Sequence, residues 1–182
     1  GDVECWGSSD GGHTWTLRGT PAPHEPGTNR MNVAAGLAAN GDLVVIASGW
    51  SHRPAKGTPA GHGPPAHVLP PWVSRSADGG KTWSIDRGAF PKTPAGEDGV
   101  PFGDILSGND GALRVAMYRG KPGGTFVFRS PDDGKTWGQP AAMSDQAVIE
   151  EPALFHLGGG RWLAAARYDG LDLYTSGDDA AT

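Results

Sequence analysis

Carboxylates, arginines and a phenol stand at the ends of apolar runs in this sequence, where they could do chemistry together. The run Pro152-Ala153-Leu154-Phe155-His156-Leu157 is preceded by Glu150-Glu151 and turns at Gly158-Gly159-Gly160. It then continues as Arg161-Trp162-Leu163-Ala164-Ala165-Ala166 to Arg167. Arginine's planar fork holds a carboxylate by two hydrogen bonds, and a weakly acidic phenol needs an adjacent base to become a nucleophile. Counted from the hairpin glycine, Arg167 occupies the place held by Ser48 and Tyr118 elsewhere in the chain. A charge this late on an apolar strand serves either a ligand or a partly buried ion pair. Glu151 and Arg167 are therefore candidate site residues, with Glu150 the alternative to Glu151.

A second arginine, Arg30, opens the run Met31-Asn32-Val33-Ala34-Ala35-Gly36-Leu37 ahead of the turn Asn40-Gly41. Asp98, Asp104 and Tyr118 fall at corresponding places one unit later, and Asp104 and Tyr118 are candidate ligand contacts. Between Leu43 and Ala77 there is no Asp or Glu. His52 is the residue of that stretch whose ordinary pKa suits proton transfer at neutral pH, which makes it a candidate catalytic group. His52, His62 and His67 lie ten and five residues apart in a Pro/Gly-rich segment without paired cysteines. That spacing is looser than zinc signatures, so no metal is expected. Gly158-Gly159-Gly160 turns between strands rather than opening a helix, so no nucleotide fingerprint is present. No cofactor is expected.

These residues need strands to position them. Asn40-Gly41, Asn109-Asp110-Gly111 and Gly158-Gly159-Gly160 each separate two apolar runs, the strongest short hairpin signal. A second unit recurs downstream of them. Ser8-Ser9-Asp10-Gly11-Gly12-His13-Thr14-Trp15, the stretch from Ser76 to Trp83 and the stretch from Ser130 to Trp137 all read S-x-D-x-G-x-T-W. A fourth copy begins at Ser176 with Ala180 where Gly stands in the others. Asp bonds the backbone ahead of it, Gly supplies a positive φ, and Thr-Trp starts a strand. The five residues ending at each motif serine are strands, and Cys5 falls at the buried position of the first. In an up-and-down run of four strands the 1–2 and 3–4 turns share one end. Arg30, His52, Asp104, Tyr118, Glu151 and Arg167 then share the other.

The repeat resembles the Asp-box of β-propellers, and the chain resembles the sialidase (neuraminidase) superfamily, which includes non-catalytic propellers. The resemblance implies an all-β propeller of four-stranded antiparallel blades. Residues 1–20 would end one blade, 21–90 and 91–145 would be whole blades, and 146–182 three strands of another. About three blades of an expected six cannot close a ring, so the rest is expected from a longer chain or by association. From turn glycine to motif serine the spacing is 35 residues in the first whole blade against 19 and 16 later, which places an insertion in 51–71. Long loops of this kind are functional or disordered.

The resemblance also implies roles. Glu150-Glu151-Pro152 through Arg167 is similar to the sialidase segment in which a Glu serves as base toward a Tyr nucleophile and an Arg grips the sialic-acid carboxylate. Arg30 matches the first Arg of that grip, with Met31-Asn32 replacing Ile-Pro. The family's acid/base Asp has no counterpart between Leu43 and Ala77. The Tyr nucleophile and third Arg belong to later blades, and Tyr118, Tyr168 and Tyr174 stand in the wrong blades to replace it.

Composition narrows the field. Thirty glycines and sixteen prolines accompany seven tryptophans, which suits many short strands joined by turns. The net charge of −5 offers no basic patch for nucleic acid or anionic membrane. No apolar run reaches membrane-spanning length. One cysteine excludes an internal disulfide; a secreted or periplasmic location is expected over a cytoplasmic one. The expected function is a sialidase-like glycoside hydrolase acting on terminal acidic sugars. Its rivals are a non-catalytic propeller binding glycan or protein, and other chemistry on the same scaffold.

Overall fold

The computed structural model describes residues 1–51, 67–119, 124–144, 149–167 and 169–181. Among them there are thirteen strands and no helix. In chain order these are β1 (Val3–Gly7), β2 (Thr16–Ala22), β3 (Thr28–Leu37), β4 (Leu43–Ser51), β5 (His67–Ser76), β6 (Ser84–Asp86) and β7 (Val100–Ser107). They continue as β8 (Leu113–Arg119), β9 (Gly124–Ser130), β10 (Gly138–Ala142), β11 (Glu150–Gly158), β12 (Arg161–Arg167) and β13 (Leu171–Ser176).

Three sheets result. β1 pairs with β2, β11-β12-β13 forms a meander, and the largest sheet has the order β10-β9-β8-β7-β3-β4-β5-β6. Within it β3 to β6 and β7 to β10 are antiparallel runs, joined by parallel pairing of β3 with β7. That joint is tight: a Cβ on Gly36 would lie 2.0 Å from the Ile105 carbonyl oxygen, so only glycine fits. β11 passes β7 on its other side, with Pro152 O 3.5 Å from where a Cβ of Gly103 would stand. Strands β3, β7 and β11 are therefore neighbours, each the first of its run.

The strands end where local chemistry stops them. In the first three copies of the repeated turn, the serine Oγ donates to the aspartate and accepts the amide of the following glycine, at 2.7–2.9 Å. The aspartate accepts the threonine amide and hydroxyl at 2.6–2.9 Å. The indole N–H closes the turn onto the glycine carbonyl. In the fourth copy Ser176 and Asp178 repeat the pattern onto Ala180 and Ala181. Two successive positive φ values are needed, 72° and 88° at Gly79-Gly80 but 64° and 58° at Asp179-Ala180, where a Cβ makes them costly.

Packing lies between the sheets' runs. Ala34, Val44, Ile46, Val73 and Phe90 meet Ile105, Val115, Met117, Phe128 and Trp137 in one buried cluster. Phe90 contacts Phe128 and Trp137 with ring centroids 5.0 and 5.7 Å apart. A second cluster joins Ala22 of β2 to Val45, Ala47 and Trp72. A third joins Ala116 and Val127 to Leu154, Trp162 and Ala164. β4 and β8 are buried on both faces along most of their length, as their continuous apolar runs require. Cys5 sits on β1 half-buried rather than buried, its Sγ against Gly80.

Candidate functional site

The starts of β7 and β11 and the ends of β8 and β12 lie at one end of the molecule, because their strands are antiparallel neighbours. The pairing is explicit: Val100 stands opposite Tyr118, and Glu150 opposite Arg167. Glu150, Glu151, Arg167 and Tyr118 thus converge.

Arg167 is the hub. Its Nε donates to Glu151 Oε2 at 2.9 Å and its Nη2 to Glu150 Oε2 at 2.6 Å. The Glu151 hydrogen bond, followed by the two carboxylate charges, raises the guanidinium above its ordinary range. Arg167 is 54% exposed and the two acids 30% and 41%, so solvent and ligand can reach all three. Adjacent residues of a regular strand point to opposite faces. Here a register shift between Glu150 and Ala153, with Glu151 at φ 52°, brings both carboxylates to the same arginine. Both acids therefore contact Arg167, where only one of the two was expected to matter.

The Tyr118 phenol belongs to the same field. It is half-buried and packs edge-on against Phe102, centroids 6.5 Å apart. Desolvation first, then the charges of Glu151 and Glu150, raise its pKa above the ordinary phenol value, while Arg167 opposes the shift. A nucleophilic phenol needs the opposite shift. Tyr118 is here a neutral hydroxyl suited to hydrogen bonding.

Arg30 opens β3 but is turned inward. Its Nη1 donates to Pro70 O at 2.7 Å, its Nη2 and Nε to Glu25 at 3.0 and 3.3 Å, and its guanidinium lies 3.8 Å above the Trp72 ring. At 1% exposure it meets an incoming carboxylate only if Glu25 moves away. Asp104 is exposed at mid-strand on β7, beside Ala35 of β3. It stands four residues further along β7 than Val100, the partner of Tyr118, and so, against expectation, does not join the strand-end group. His52 lies outside the described residues, as do Arg53, His62 and Tyr168; His67 opens β5 opposite Ser51.

Two arrangements escaped the sequence reading. At the site end, Asp2 Oδ1 accepts both the backbone N–H of His24 at 2.7 Å and its Nδ1 at 2.6 Å, and the neighbouring Gly1 carbonyl accepts the Arg30 amide. At the opposite end, buried Arg114 bonds Asp110 at 2.6 Å and Asp179 at 3.1 Å, while Asp179 also accepts the Trp162 indole N–H at 2.8 Å. Its only sequence signal is Asp at the two turns, Asp110 and Asp179, that the arginine bridges.

Comparison with known proteins bears on the fold. No protein-family model matches the chain. It is 31% identical over 110 residues to a sialidase of Bacteroides fragilis (strain YCH46), an alignment covering 47% of this chain and 20% of that one. Among solved structures, the NanB sialidase of Streptococcus pneumoniae matches all of this chain with 45% of its own, at TM-score 0.75 and 11% identity. A Hadza microbial sialidase matches at TM-score 0.72 and 20% identity, over 39% of its length. A protein of unknown function from Dyadobacter fermentans DSM 18053 matches at TM-score 0.72 and 22% identity, over 56% of its length. The fold is sialidase-like and all-β. The chain spans a fifth of the B. fragilis sialidase and between 39% and 56% of these solved chains.

Proposed function

We propose that this chain is part of a sialidase-like glycoside hydrolase acting on terminal acidic sugars, of exo-α-sialidase type. The observation that carries the reading is the exposed Arg167–Glu151 pair at 2.9 Å, held at the strand ends next to the Tyr118 phenol. Arg167 would grip the sugar carboxylate through its fork, and Glu151 would act as base. Tyr118 on β8 would contact the sugar's hydroxyls, and Asp104, further along β7, would meet only a part of the ligand that extends beyond them. The two four-stranded runs, the β1–β2 pair and the β11–β13 meander are then the blades 21–90 and 91–145 and the partial blades 1–20 and 146–182 of a larger propeller. The nucleophile and further cations would come from the rest of the ring. Arg30 joins the grip if Glu25 releases it; His52 remains the candidate for proton transfer, and the acid role is unassigned.

One observation favours a second reading, a non-catalytic propeller that binds glycan. Arg30 is buried with three donors engaged, and no carboxylate stands between Leu43 and Ala77 to serve as acid. The deciding experiment measures release of the fluorophore from a fluorogenic sialoside by the protein, by Glu151→Gln and by Arg167→Ala. Hydrolysis reduced by about a hundredfold or more in both variants supports catalysis. Turnover unchanged in both removes the site assignment, and binding of the sialoside without any turnover favours the glycan-binding propeller.

A further inference from the structure

Arg167 donates from two atoms to two different carboxylates, Nε to Glu151 and Nη2 to Glu150, and the shorter bond, at 2.6 Å, goes to Glu150. A regular strand would offer it one of them. The bulge after Glu150, with Glu151 at φ 52°, supplies the second. Two acids and one base leave the cluster net negative. An anion approaching Arg167 meets that charge and finds the Nε–Nη2 edge of the fork already engaged by the two glutamates.

Resting on the reading of Arg167 as the contact for a ligand carboxylate, we infer that Glu150 is a specificity-determining residue. Its carboxylate holds Nη2 on the Nε–Nη2 edge, one of the two edges by which the fork can take a carboxylate, as a competitor built into the strand. A tethered competitor has a high effective concentration, so a bare carboxylate loses to it. An acidic sugar prevails only through its further contacts, with a hydroxyl placed for Tyr118. Glu151, on Nε, keeps the fork oriented while Glu150 is displaced.

The test follows the Arg167 Nε–H signal by NMR during titration with acetate, the bare carboxylate, and separately with N-acetylneuraminic acid. Wild type, Glu150→Gln and Glu150→Ala are compared. Acetate should move the signal at roughly two- to fivefold lower concentration in both variants than in wild type, the scale of an exposed ion pair. Equal or higher acetate concentrations in both variants overturn the inference, as does a signal that acetate moves in none of the three proteins. If acetate behaves as expected and the acidic sugar moves the signal in no protein, the competition by Glu150 stands and the acidic-sugar reading of the site falls.

Discussion

Asp179, in the turn after β13, reaches Arg114 of β8 across the boundary between two sheets, Oδ2 to Nη2 at 3.1 Å. The same carboxylate accepts the backbone amides of Asn109 and Asp110 and the Trp162 indole. Burial works against its ionisation, but these hydrogen bonds, Trp162's first, hold its pKa below the ordinary carboxylate value. The contact fastens β11–β13 to the β7–β8 hairpin at the end opposite the site. Removing one partner leaves buried Arg114 short of a counter-charge. Asp179→Ala should therefore cost about 2 kcal/mol in urea denaturation. A loss below a few tenths would show that Asp110 alone satisfies the arginine.

Ala180 occupies a left-handed position, φ 58°, where the other three copies of the turn have glycine. Ala180→Gly should stabilise the chain by about 0.5–1 kcal/mol, because the residue no longer bears the steric cost of its Cβ there. A melting temperature higher by roughly 1–4 °C is the readout. A lower one would mean that Ala180's packing against the cluster that holds Leu154 and Trp162 outweighs the relief.

Acid should loosen the turns. Threonine and serine hydrogen bonds lower Asp10 from 3.8 to about 2, and depress Asp78 in the same direction. A depressed carboxylate contributes stability that is complete above its unfolded pKa and is lost as pH falls through the folded one. Stability should thus decline from about pH 4 toward pH 2, and Asp78→Asn should flatten that decline while lowering stability at pH 7. A decline of unchanged slope in Asp78→Asn would assign the acid sensitivity to other carboxylates.

The Tyr118 phenol should titrate above the ordinary tyrosine value, since burial and the Glu151 and Glu150 charges disfavour its anion. Ultraviolet titration of phenolate absorbance, with Tyr118→Phe as the blank, isolates this group. Glu151→Gln should move its midpoint to lower pH. A midpoint that stays in place would mean that desolvation and the Glu150 charge set the shift without Glu151.

Strand positions were legible because their signals are local. Asn40-Gly41 and the repeated Ser-x-Asp turns name their own backbone angles, so β4, β5, β8, β9 and β13 lie where the spacing puts them. The grouping of Glu151, Arg167 and Tyr118 at one end followed from the same ruler. What stayed hidden depends on contacts far apart in sequence. The inward turn of Arg30 is set by Pro70 and Trp72, some forty residues on. The joint hold of Glu150 and Glu151 on Arg167 breaks strand alternation through a bulge that no residue type announces. The motif tryptophans show the same limit: Trp137 is 7% exposed and Trp15 59%, though their local sequences match.

The glycine at position 36 governs more than its own joint. Because β3, β7 and β11 enter side by side, Arg30 stands on one leaf of the assembly and Tyr118 with Arg167 on the next two, like marks on the panels of a folding screen. The crease between the first two panels is the contact of Gly36 with Ile105. Any side chain there forces the panels apart, and the span between Arg30 and Tyr118 widens with neither residue touched. The spacing of the strands that carry the two is thus written in a residue six places along β3 from Arg30.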